Sequence, residues 1–251
     1  MIPLAQVVNG SLQVYLSPGQ VAVDIGANAG AYTRKFSDVV GPTGLVIACE
    51  PLPDTFAKLQ ETCAKFTNVQ LHNVGLDAQV GERDLYRGKN SEQCSFWPDN
   101  VPKKERAQPY TVKTTTLDAL LSGVPEVHGI KIDTQGAEMA VLQGATETLK
   151  RPETIWMLEV WPDGLEAAGS SLEALVDLLQ AAGLQVIAEG KDPQTRDTLC
   201  WGDILKTRRG GHHHTNIIWG TIYMTPSQPW HSPNRALPKR RTSLYEFPIG
   251  A

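Results

Sequence analysis

A buried strand followed by small residues offers the first candidate site in this sequence of 251 residues. Residues 21–33 read VAVDIGANAGAYT, an apolar run that ends on an acid and then breaks into alternating small residues. Gly26, Asn28 and Gly30 follow Asp24 in the spacing D-x-G-x-N-x-G, which permits positive φ angles and close approach of a ligand to the backbone. The amides that open the next helix would face this ligand, and Asp24 could balance a cation. A glycine-rich turn of this kind also arises by chance as an ordinary tight turn.

A second acid strengthens the prediction of a ligand site. Glu50 closes the second predicted strand, 24 residues after Gly26. In nucleotide-binding βαβ units, an acid about 20 residues beyond the glycine turn binds the ribose hydroxyls. The turn lacks the lysine of the GxxxxGK[ST] phosphate motif and the GxGxxG spacing of the dinucleotide fingerprint. The sequence therefore predicts a nucleoside ligand without a pyrophosphate.

Three further acids could carry acid–base chemistry. Asp133 closes the predicted strand 129–133, where it would lie at the carboxyl edge of the sheet and could accept the proton of a hydroxyl group. Glu138 follows in the first turns of a predicted helix, where it could equally stabilise the helix N-terminus. Glu159 ends an apolar strand, and because an unpaired acid there would lose its hydration at a cost, we favour a functional role.

Strand and helix patterns alternate along the chain and would position these acids. Short runs rich in branched apolar residues predict strands, and apolar residues at helical spacing predict helices between them. Such alternation is typical of an α/β fold with a mostly parallel sheet and helices on both faces. The predicted strands are 21–25, 45–50, 69–76, 129–133, 154–160, 184–190 and 215–224, and the longer predicted helices are 31–40, 54–66 and 171–183.

Residues 80–116 interrupt this alternation. They are polar and rich in proline, and the stretches RDLY and YTVKTT alternate like two strands of an inserted β-ribbon. We expect this excursion, together with the histidine-containing residues 210–216, to cover the acceptor pocket near the ligand, and a surface hairpin without function is the alternative. Its candidate substrate-binding residues are the aromatic Trp97 and the donors Lys103, Lys104 and Arg106, which suit a polar or anionic small acceptor.

The run GGHHHTN at residues 210–216 raises the question of a metal. Neighbours on an extended strand point to opposite faces, so only His212 and His214 could share a side, and a compact three-histidine site is disfavoured. A role in substrate binding or as a general base, and a solvated loop, both remain open. The metal requirement stays unknown. Trp161, directly after the fifth strand, is a further candidate substrate-binding residue.

Composition limits the class of protein. With 41% hydrophobic and 20% charged residues, the chain can bury one full core. We expect one domain at 1–224 and a proline-rich, basic tail at 225–251. Acids outnumber bases by 27 to 23, which disfavours a nucleic-acid partner. The four cysteines lie far apart without a CxxC motif, and no apolar run is long enough to span a membrane, so a soluble cytoplasmic protein with reduced thiols is expected.

Four stretches together resemble the FkbM family of S-adenosylmethionine-dependent methyltransferases. They are VAVDIGANAGAYT, ACEP, TTTLDALL and GIKIDTQGAEMAVLQGA, in order from about residue 15 to residue 160, with a looser match at HTNIIW. The resemblance implies a seven-stranded Rossmann-like class I sheet and methyl transfer to a hydroxyl of a sugar, polyketide or other small metabolite.

The resemblance also assigns roles to residues in the cofactor site. Asp24 and the small residues Gly26, Asn28 and Gly30 would line the methionine end of S-adenosylmethionine, and Glu50 would hold its ribose. Pro51 and Leu52 would lie along the adenosine, with Gly75 and Leu76 beside the adenine. The implied cofactor-binding set is Asp24, Gly26, Asn28, Gly30, Tyr32, Thr33, Glu50, Pro51, Leu52, Gly75, Leu76 and Asp133.

Other functions stay open at this stage. A small-molecule N-methyltransferase would share every one of these motifs. A nicotinamide-dependent oxidoreductase would share the sheet and Glu50 but should carry GxGxxG, which this sequence lacks. A cofactor-binding module without catalysis would have lost the later acids, whereas Asp133 and Glu159 are present. The acceptor and the oligomeric state are not determined by these patterns.

Overall fold

The computed structural model describes residues 12–189 and 220–226. Eleven strands and six α-helices lie in these ranges, in an alternating order over most of the chain. The strands are β1 (Val21–Ile25), β2 (Leu45–Cys49), β3 (Val69–His72), β4 (Gly75–Leu76), β5 (Gly81–Arg87), β6 (Cys94–Ser95), β7 (Tyr110–Thr115), β8 (Gly129–Ile132), β9 (Ile155–Val160), β10 (Leu184–Glu189) and β11 (Gly220–Pro226). The helices are α1 (Ala31–Val40), α2 (Pro53–Cys63), α3 (Leu117–Leu120), α4 (Glu138–Gln143), α5 (Pro162–Ala167) and α6 (Leu172–Ala181).

A seven-stranded sheet forms the centre, in the order β10-β11-β9-β8-β1-β2-β3. The strands from β9 to β3 are parallel, and β11 lies antiparallel between β9 and β10. Val23 of β1 is in register with Ile47 of β2 and with Ile130 of β8. The order in which successive strands are added to the sheet therefore reverses at β1. This reversal places a ligand crevice beyond the carboxyl ends of β1 and β8. The predicted Rossmann-like α/β class is confirmed.

Both faces of this sheet are buried because its strands are apolar at successive positions. On one face, Ala22 and Val46 pack with Phe36 and Val40 of α1. On the other face, Val23 and other apolar strand residues pack against α4 and α6. Since alternate strand residues point to opposite faces, β1 supplies both layers of the core. Its carboxyl end is thereby fixed on two sides.

The predicted strand 69–76 is wrong as a single element. The chain leaves the main sheet after His72, and Gly75 pairs in parallel with Thr114 of β7 in a second sheet of order β4-β7-β5-β6. The side-chain amide of Asn73 donates to the carbonyl oxygens of Glu50 and Pro51, at 2.8 and 3.0 Å. These hydrogen bonds hold the chain at the edge of the ligand crevice as it crosses between the sheets.

The excursion contains the predicted β-ribbon. β5 and β7 are antiparallel, with Arg83 opposite Val112, and β6 adds a short strand to β5. Apolar residues of this second sheet pack against Leu52 and Ala137, which follow β2 and β8. The excursion is therefore anchored over the carboxyl edge of the main sheet.

Other boundaries differ from the predictions by a few residues. α1 matches its prediction, whereas α3 and α5 were not predicted because they are single short turns. β11 extends to Pro226, two residues beyond the predicted domain boundary at Met224. Residues 215–219, His212, His214, Cys200 and the tail from 227 onward lie outside the described residues. Within the described ranges, no helix is both long and apolar enough to cross a membrane, and the three cysteines there are free thiols.

Candidate active site

A cavity of about 510 Å³ opens at the carboxyl ends of β1, β2 and β8. This volume lies within the range of small-molecule sites, about 300 to 1,000 Å³. Its walls come from the β1–α1 turn, the ends of β2 and β8, and the excursion. The lining residues are Ile25, Gly26, Ala27, Asn28, Ala29, Ala31, Tyr32, Cys49, Glu50, Pro51, Val74, Gly75, Leu76, Leu85, Ser91, Cys94, Phe96, Lys131, Asp133, Thr134, Gln135 and Glu159.

The β1–α1 turn has the left-handed backbone that its small residues predict. Gly26 and Gly30 have φ angles of +72° and +90°, and Asn28 has +47°. A Cβ atom on Gly26 would collide with the carbonyl oxygen of Asp133, and one on Gly30 would lie 2.8 Å from the side chain of Leu59. Close packing between turns and helices therefore requires both glycines, in addition to any contact of Gly26 with a ligand.

Glu50 lies where the turn and β2 meet. Its two carboxylate oxygens accept hydrogen bonds from the backbone amides of Asn28 and Leu52, at 3.0 and 2.9 Å. Burial raises the pKa of Glu50 to about 7, although these two amides act to lower it. Each oxygen keeps a free lone pair for a ligand hydroxyl. The predicted ribose-binding residue thus lines the cavity with both oxygens fixed.

A buried ion pair lies beneath the turn. The ammonium nitrogen of Lys131, from the middle of β8, lies 3.1 Å from Asp24 Oδ1 and 3.4 Å from Asp133 Oδ2. It also donates to the carbonyl oxygen of Gly26 at 3.1 Å. Burial by itself would lower the pKa of Lys131, but the charges of Asp24 and Asp133 outweigh burial and raise it. Lys131 therefore remains charged, and its ammonium group ties β1, the turn and Asp133 together.

The other oxygen of Asp24 is also engaged. Asp24 Oδ2 accepts a hydrogen bond of 2.6 Å from the hydroxyl of Thr33 in α1. Both residues are fully buried and neither lines the cavity. Asp24 and Thr33, which the resemblance assigns to the cofactor site, therefore lie behind the turn and support it from outside the cavity lining.

Asp133 and Glu159 form a carboxylate pair at the cavity wall. The side-chain amide of Gln135 donates to Glu159 Oε2 at 2.8 Å and to Asp133 Oδ1 at 3.3 Å. Burial and the negative charge of Asp133 raise the pKa of Glu159 to about 10. Burial would also raise the pKa of Asp133, but Lys131 outweighs it and keeps that pKa below its ordinary value. At neutral pH the pair therefore shares one proton and one negative charge, and the nearby ammonium group of Lys131 favours the charge on Asp133.

Glu138 does not join this pair. Its side chain is fully buried, and its Oε1 accepts hydrogen bonds from the amides of Thr134 and Gly136, at 3.1 and 3.2 Å. Burial raises the pKa of Glu138. Because the carboxyl group points into the turn that precedes α4 and lies outside the cavity lining, the predicted catalytic role is not supported. The structure favours the alternative, in which Glu138 stabilises the start of the helix.

The predicted substrate-binding residues lie beside the cavity rather than in it. The guanidinium of Arg83 stacks 4.5 Å from the ring centroid of Trp97 and 4.9 Å from that of Phe96, and only Phe96 reaches the cavity. Trp161 precedes α5 and packs against Gly164. Arg106 of the same excursion donates to the carbonyl oxygen of Val101 at 3.1 Å.

Two predicted donors, Lys103 and Lys104, are exposed. The corresponding prediction for His212 and His214 lies outside the described residues. Among the described residues, no cluster of three metal-ligating side chains occurs.

The structure brings most of the predicted cofactor site together. Gly26, Asn28, Tyr32, Glu50, Pro51, Gly75, Leu76 and Asp133 line the cavity, together with the predicted catalytic residue Glu159. Gly30 and Leu52 join Asp24 and Thr33 as buried supports, with the amide of Leu52 on Glu50.

Sequence reasoning missed Lys131, Gln135, Ser91, Cys94, Leu85 and Phe96 in the cavity wall. A signal existed for Lys131, since a charge inside the apolar strand GIKID needs a buried partner. Gln135 carried no comparable signal, because its role depends on partners from two strands.

The sequence around this cavity is similar to that of known methyltransferases. Residues 24–186 match the family model described as "Methyltransferase FkbM domain". The chain is 27% identical over 176 residues to the 2-O-methyltransferase NoeI of Sinorhizobium fredii, covering 64% of this chain and 72% of NoeI.

Two further proteins are similar over different lengths. The hexuronic acid methyltransferase AglP of Haloferax volcanii is 30% identical over 131 residues, or 51% of this chain, and the match spans only 50% of AglP. The fibrillarin of Aeropyrum pernix, solved with bound S-adenosyl-L-methionine, is similar at 14% identity with a TM-score of 0.49, over 88% of this chain and 73% of fibrillarin.

Proposed function

This chain belongs to the FkbM methyltransferase family, and on that premise we propose that it transfers the methyl group of S-adenosylmethionine to a hydroxyl of a small polar acceptor. The observation that carries the proposal is the Asp133–Glu159 pair, which lines the same cavity as the glycine turn and Glu50. A cofactor pocket and an acid–base pair in one wall are the two parts that methyl transfer to oxygen requires.

The residues that line the cavity suit the cofactor in chemistry and in charge. Glu50 offers acceptors for ribose hydroxyls, and Leu76 with Phe96 offers an apolar surface for a base. Among the buried groups described here, the charge of Lys131 offsets that of one neighbouring aspartate, which leaves a net negative charge beside the cavity. When bound, S-adenosylmethionine would supply a methyl group on a positively charged sulfonium, and a negative wall favours that charge.

Asp133 is the group suited to accept the acceptor's proton. Its pKa is held below the ordinary value despite burial because Lys131 lies 3.4 Å away, so it is ionised at neutral pH. Glu159 is protonated and can hydrogen-bond to Asp133, while Gln135 fixes the orientation of both. A hydroxyl that donates to Asp133 is thereby aligned and partly deprotonated as its oxygen forms the new bond. A positioned acid or base of this kind contributes about 10² to 10⁴ in rate.

The names of two relatives support an acceptor of the sugar type. NoeI is a 2-O-methyltransferase and AglP acts on a hexuronic acid. The oxygens of Asp133 and Glu159 that are not used between them can accept hydrogen bonds from two neighbouring hydroxyls. A sugar hydroxyl, neutral or from a uronic acid, is therefore the acceptor that we propose.

Two measurements test this function. Calorimetric titration of the full chain with S-adenosylhomocysteine should show binding, and titration with NAD should show none. Incubation with isotope-labelled methyl donor and a panel of hexoses, uronic acids and amines should then give a methylated sugar by mass spectrometry. NAD binding without a response to S-adenosylhomocysteine would exclude the proposed cofactor, and methylation of amines alone would make the protein an N-methyltransferase.

A further inference from the structure

Gln135 has an unusual backbone for a residue at the centre of a proposed active site. Its φ angle is +53°, in a region that non-glycine residues rarely adopt, and Gly136 follows with +100°. A side chain on such a backbone keeps its direction only if the surrounding structure holds the turn. Gln135 is also the residue whose amide reaches both Asp133 and Glu159. What holds its backbone therefore decides the geometry of the carboxylate pair.

Two side chains of the excursion bind the carbonyl group of Gln135. The Ser95 hydroxyl donates to this oxygen at 2.8 Å, and the Asn100 side-chain amide donates to it at 3.3 Å. The same amide of Asn100 donates to Ser95 Oγ at 3.2 Å and to the carbonyl oxygen of Gly164 at 3.1 Å. Asn100 thus joins the excursion, the turn after β8 and helix α5 through one amide group.

The opposite side of this turn is held by Glu138, the first residue of α4. Glu138 Oε1 accepts hydrogen bonds from the amides of Thr134 and Gly136, on either side of Gln135. Asn100 and Ser95 supply the contacts to the carbonyl between them, and neither lines the cavity. The amide direction of Gln135 is therefore set jointly by α4 and by the excursion.

We propose that Asn100 and Ser95 are positioning residues for methyl transfer, because they fix the Gln135 carbonyl and so hold the Gln135 side chain between Asp133 and Glu159. This inference rests on the proposed function only for its catalytic consequence. It makes the excursion part of the proton-transfer apparatus as well as a wall of the cavity.

A double-mutant cycle separates positioning from general structural support. If Asn100 acts through Gln135, Asn100→Ala should matter only while the Gln135 side chain is present, so the effects of Asn100→Ala and Gln135→Ala should not add. A purely structural role of Asn100 would instead give additive effects. Asn90→Ala is the matched control, since Asn90 lies exposed in the same excursion.

The first readout is the titration of Asp133 in the full chain without ligand, followed by NMR of ¹³C-labelled aspartate carboxyl groups. The Gln135 amide stabilises ionised Asp133, so Gln135→Ala should raise the pKa of Asp133. Asn100→Ala should raise it in the same direction, and the double variant should show no further rise. Among the described residues, the charged and titratable groups near Asp133 include Lys131, Asp24, Glu159, Tyr32 and Glu138, and all are retained in these variants.

The second readout is function. Affinity for S-adenosylhomocysteine should stay within about twofold in Asn100→Ala. Turnover on the panel sugar that wild-type protein methylates should fall about 10- to 100-fold, the loss expected for misplaced catalytic groups. Ser95→Ala should give a smaller loss in the same direction, and it serves as the second variant if Asn100→Ala proves too unstable in urea denaturation.

The outcomes are distinguishable. Additive changes in the pKa of Asp133, or an unchanged pKa in Asn100→Ala, would overturn the positioning role even if the wild-type protein is an active methyltransferase. Absence of S-adenosylhomocysteine binding in the wild-type protein would overturn the proposed function, while the ligand-free NMR cycle would still decide the role of Asn100.

Discussion

Lys131 shows how one residue can fix several parts of the site. A fully buried ammonium group is costly unless its charge is paired and its donors are used. Asp24, Asp133 and the carbonyl oxygen of Gly26 meet that requirement from three points of the chain. The ion pair therefore couples the stability of the sheet to the shape of the β1–α1 turn.

Removal of this charge should destabilise the fold. Lys131→Met leaves Asp24 buried without its cation, and breaking a buried pair in this way costs about 3 to 5 kcal/mol. Urea denaturation should show the loss as a lower midpoint. Lys113→Met is the control, because Lys113 is exposed on β7 and surface changes usually stay within about 0.5 kcal/mol. Equal midpoints for the two variants would mean that the buried pair contributes nothing to stability.

Asp133→Asn tests the proposed base. Asparagine keeps the size of the side chain but cannot accept a proton, so methyl transfer should fall by about 10² to 10⁴ in a folded protein. Initial rates with labelled methyl donor measure the loss, and circular dichroism checks the fold. Asp163→Asn removes an exposed acid in α5 and should leave the rate unchanged. Full activity of the Asp133→Asn variant would assign the proton acceptor elsewhere.

Glu159 should make stability depend on pH. Its pKa rises from an ordinary 4.5 to about 10 in the folded protein, chiefly through burial, so the folded state keeps a proton that the unfolded state releases. The stability of the wild-type protein should therefore fall relative to Glu159→Gln as pH increases from about 5 toward 10. Thermal unfolding should give Glu159→Gln the higher Tm at pH 8 and a smaller difference at pH 5. A difference that does not change with pH would contradict the raised pKa.

The β1–α1 turn is the element in which sequence and packing agree most closely. Its glycines were predicted from the need for a close approach, and in the structure the close neighbour of Gly26 is the backbone of Asp133. The turn and the end of β8 therefore cannot move independently. A substitution at Gly26 should therefore alter both the affinity for the cofactor and the geometry of the carboxylate pair.

Gly26→Ala should weaken cofactor binding by displacing the Asp133 turn. Gly41 is a matched control, since its φ of +65° resembles the +72° of Gly26, yet a Cβ there would meet nothing within 4 Å. Both variants carry the strain of alanine at positive φ, and only Gly26→Ala carries the collision. Titration with S-adenosylhomocysteine should show at least about a tenfold loss for Gly26→Ala, as expected for about 1.4 kcal/mol. Similar affinities in the two variants would show that the collision is relieved without cost to the site.

In the excursion, the sequence pattern predicts the strands but not which side chains reach the cavity. Alternation in RDLY and YTVKTT correctly predicted strands β5 and β7. The aromatic residue chosen for the pocket was Trp97, whereas its neighbour Phe96 reaches the cavity. Phe96 and Trp97 lie in a bend after β6, outside any strand, so the alternation of a strand does not determine which of the two rings faces the cavity. The local sequence contains no feature that selects one ring over the other.

At the scale of the whole molecule, the site lies where the order of strands reverses. β1 has β2 on one side and β8 on the other, and the helices that follow them leave a crevice between their first turns. The second sheet covers part of this crevice, and Ser91 from the excursion donates a hydrogen bond of 3.0 Å to Asn28 of the turn. The cavity is thus formed by distant parts of the chain together.

Ligand binding should therefore stabilise the molecule as a unit. A ligand that binds only the folded state adds about 2.7 kcal/mol at a concentration 100 times its Kd. For a chain of this size each kcal/mol corresponds to about 2 to 4 °C in Tm. Saturating S-adenosylhomocysteine should raise Tm accordingly in thermal unfolding, and NAD at the same concentration should not. A shift with NAD alone would favour the oxidoreductase alternative.

The sequence by itself determined the α/β class, the positions of most strands along the chain and the edge at which Asp24, Glu50, Asp133 and Glu159 would gather. These features follow from hydrophobic periodicity and chain direction, which are local properties, since parallel strands bring their carboxyl ends to one edge. The glycine turn was likewise predictable from the sequence, because a positive φ angle restricts which residue types can occupy that position.

Only the tertiary structure decided which side chains meet. The pairing of Lys131 with Asp24 joins residues far apart in the chain, and the contact of Asn100 with Gln135 depends on how the second sheet docks on the first. The division of the third predicted strand after His72 has the same origin, since β4 finds its partner in β7. Such contacts depend on strand register and on long-range packing, and a local pattern of residue types does not determine either of them.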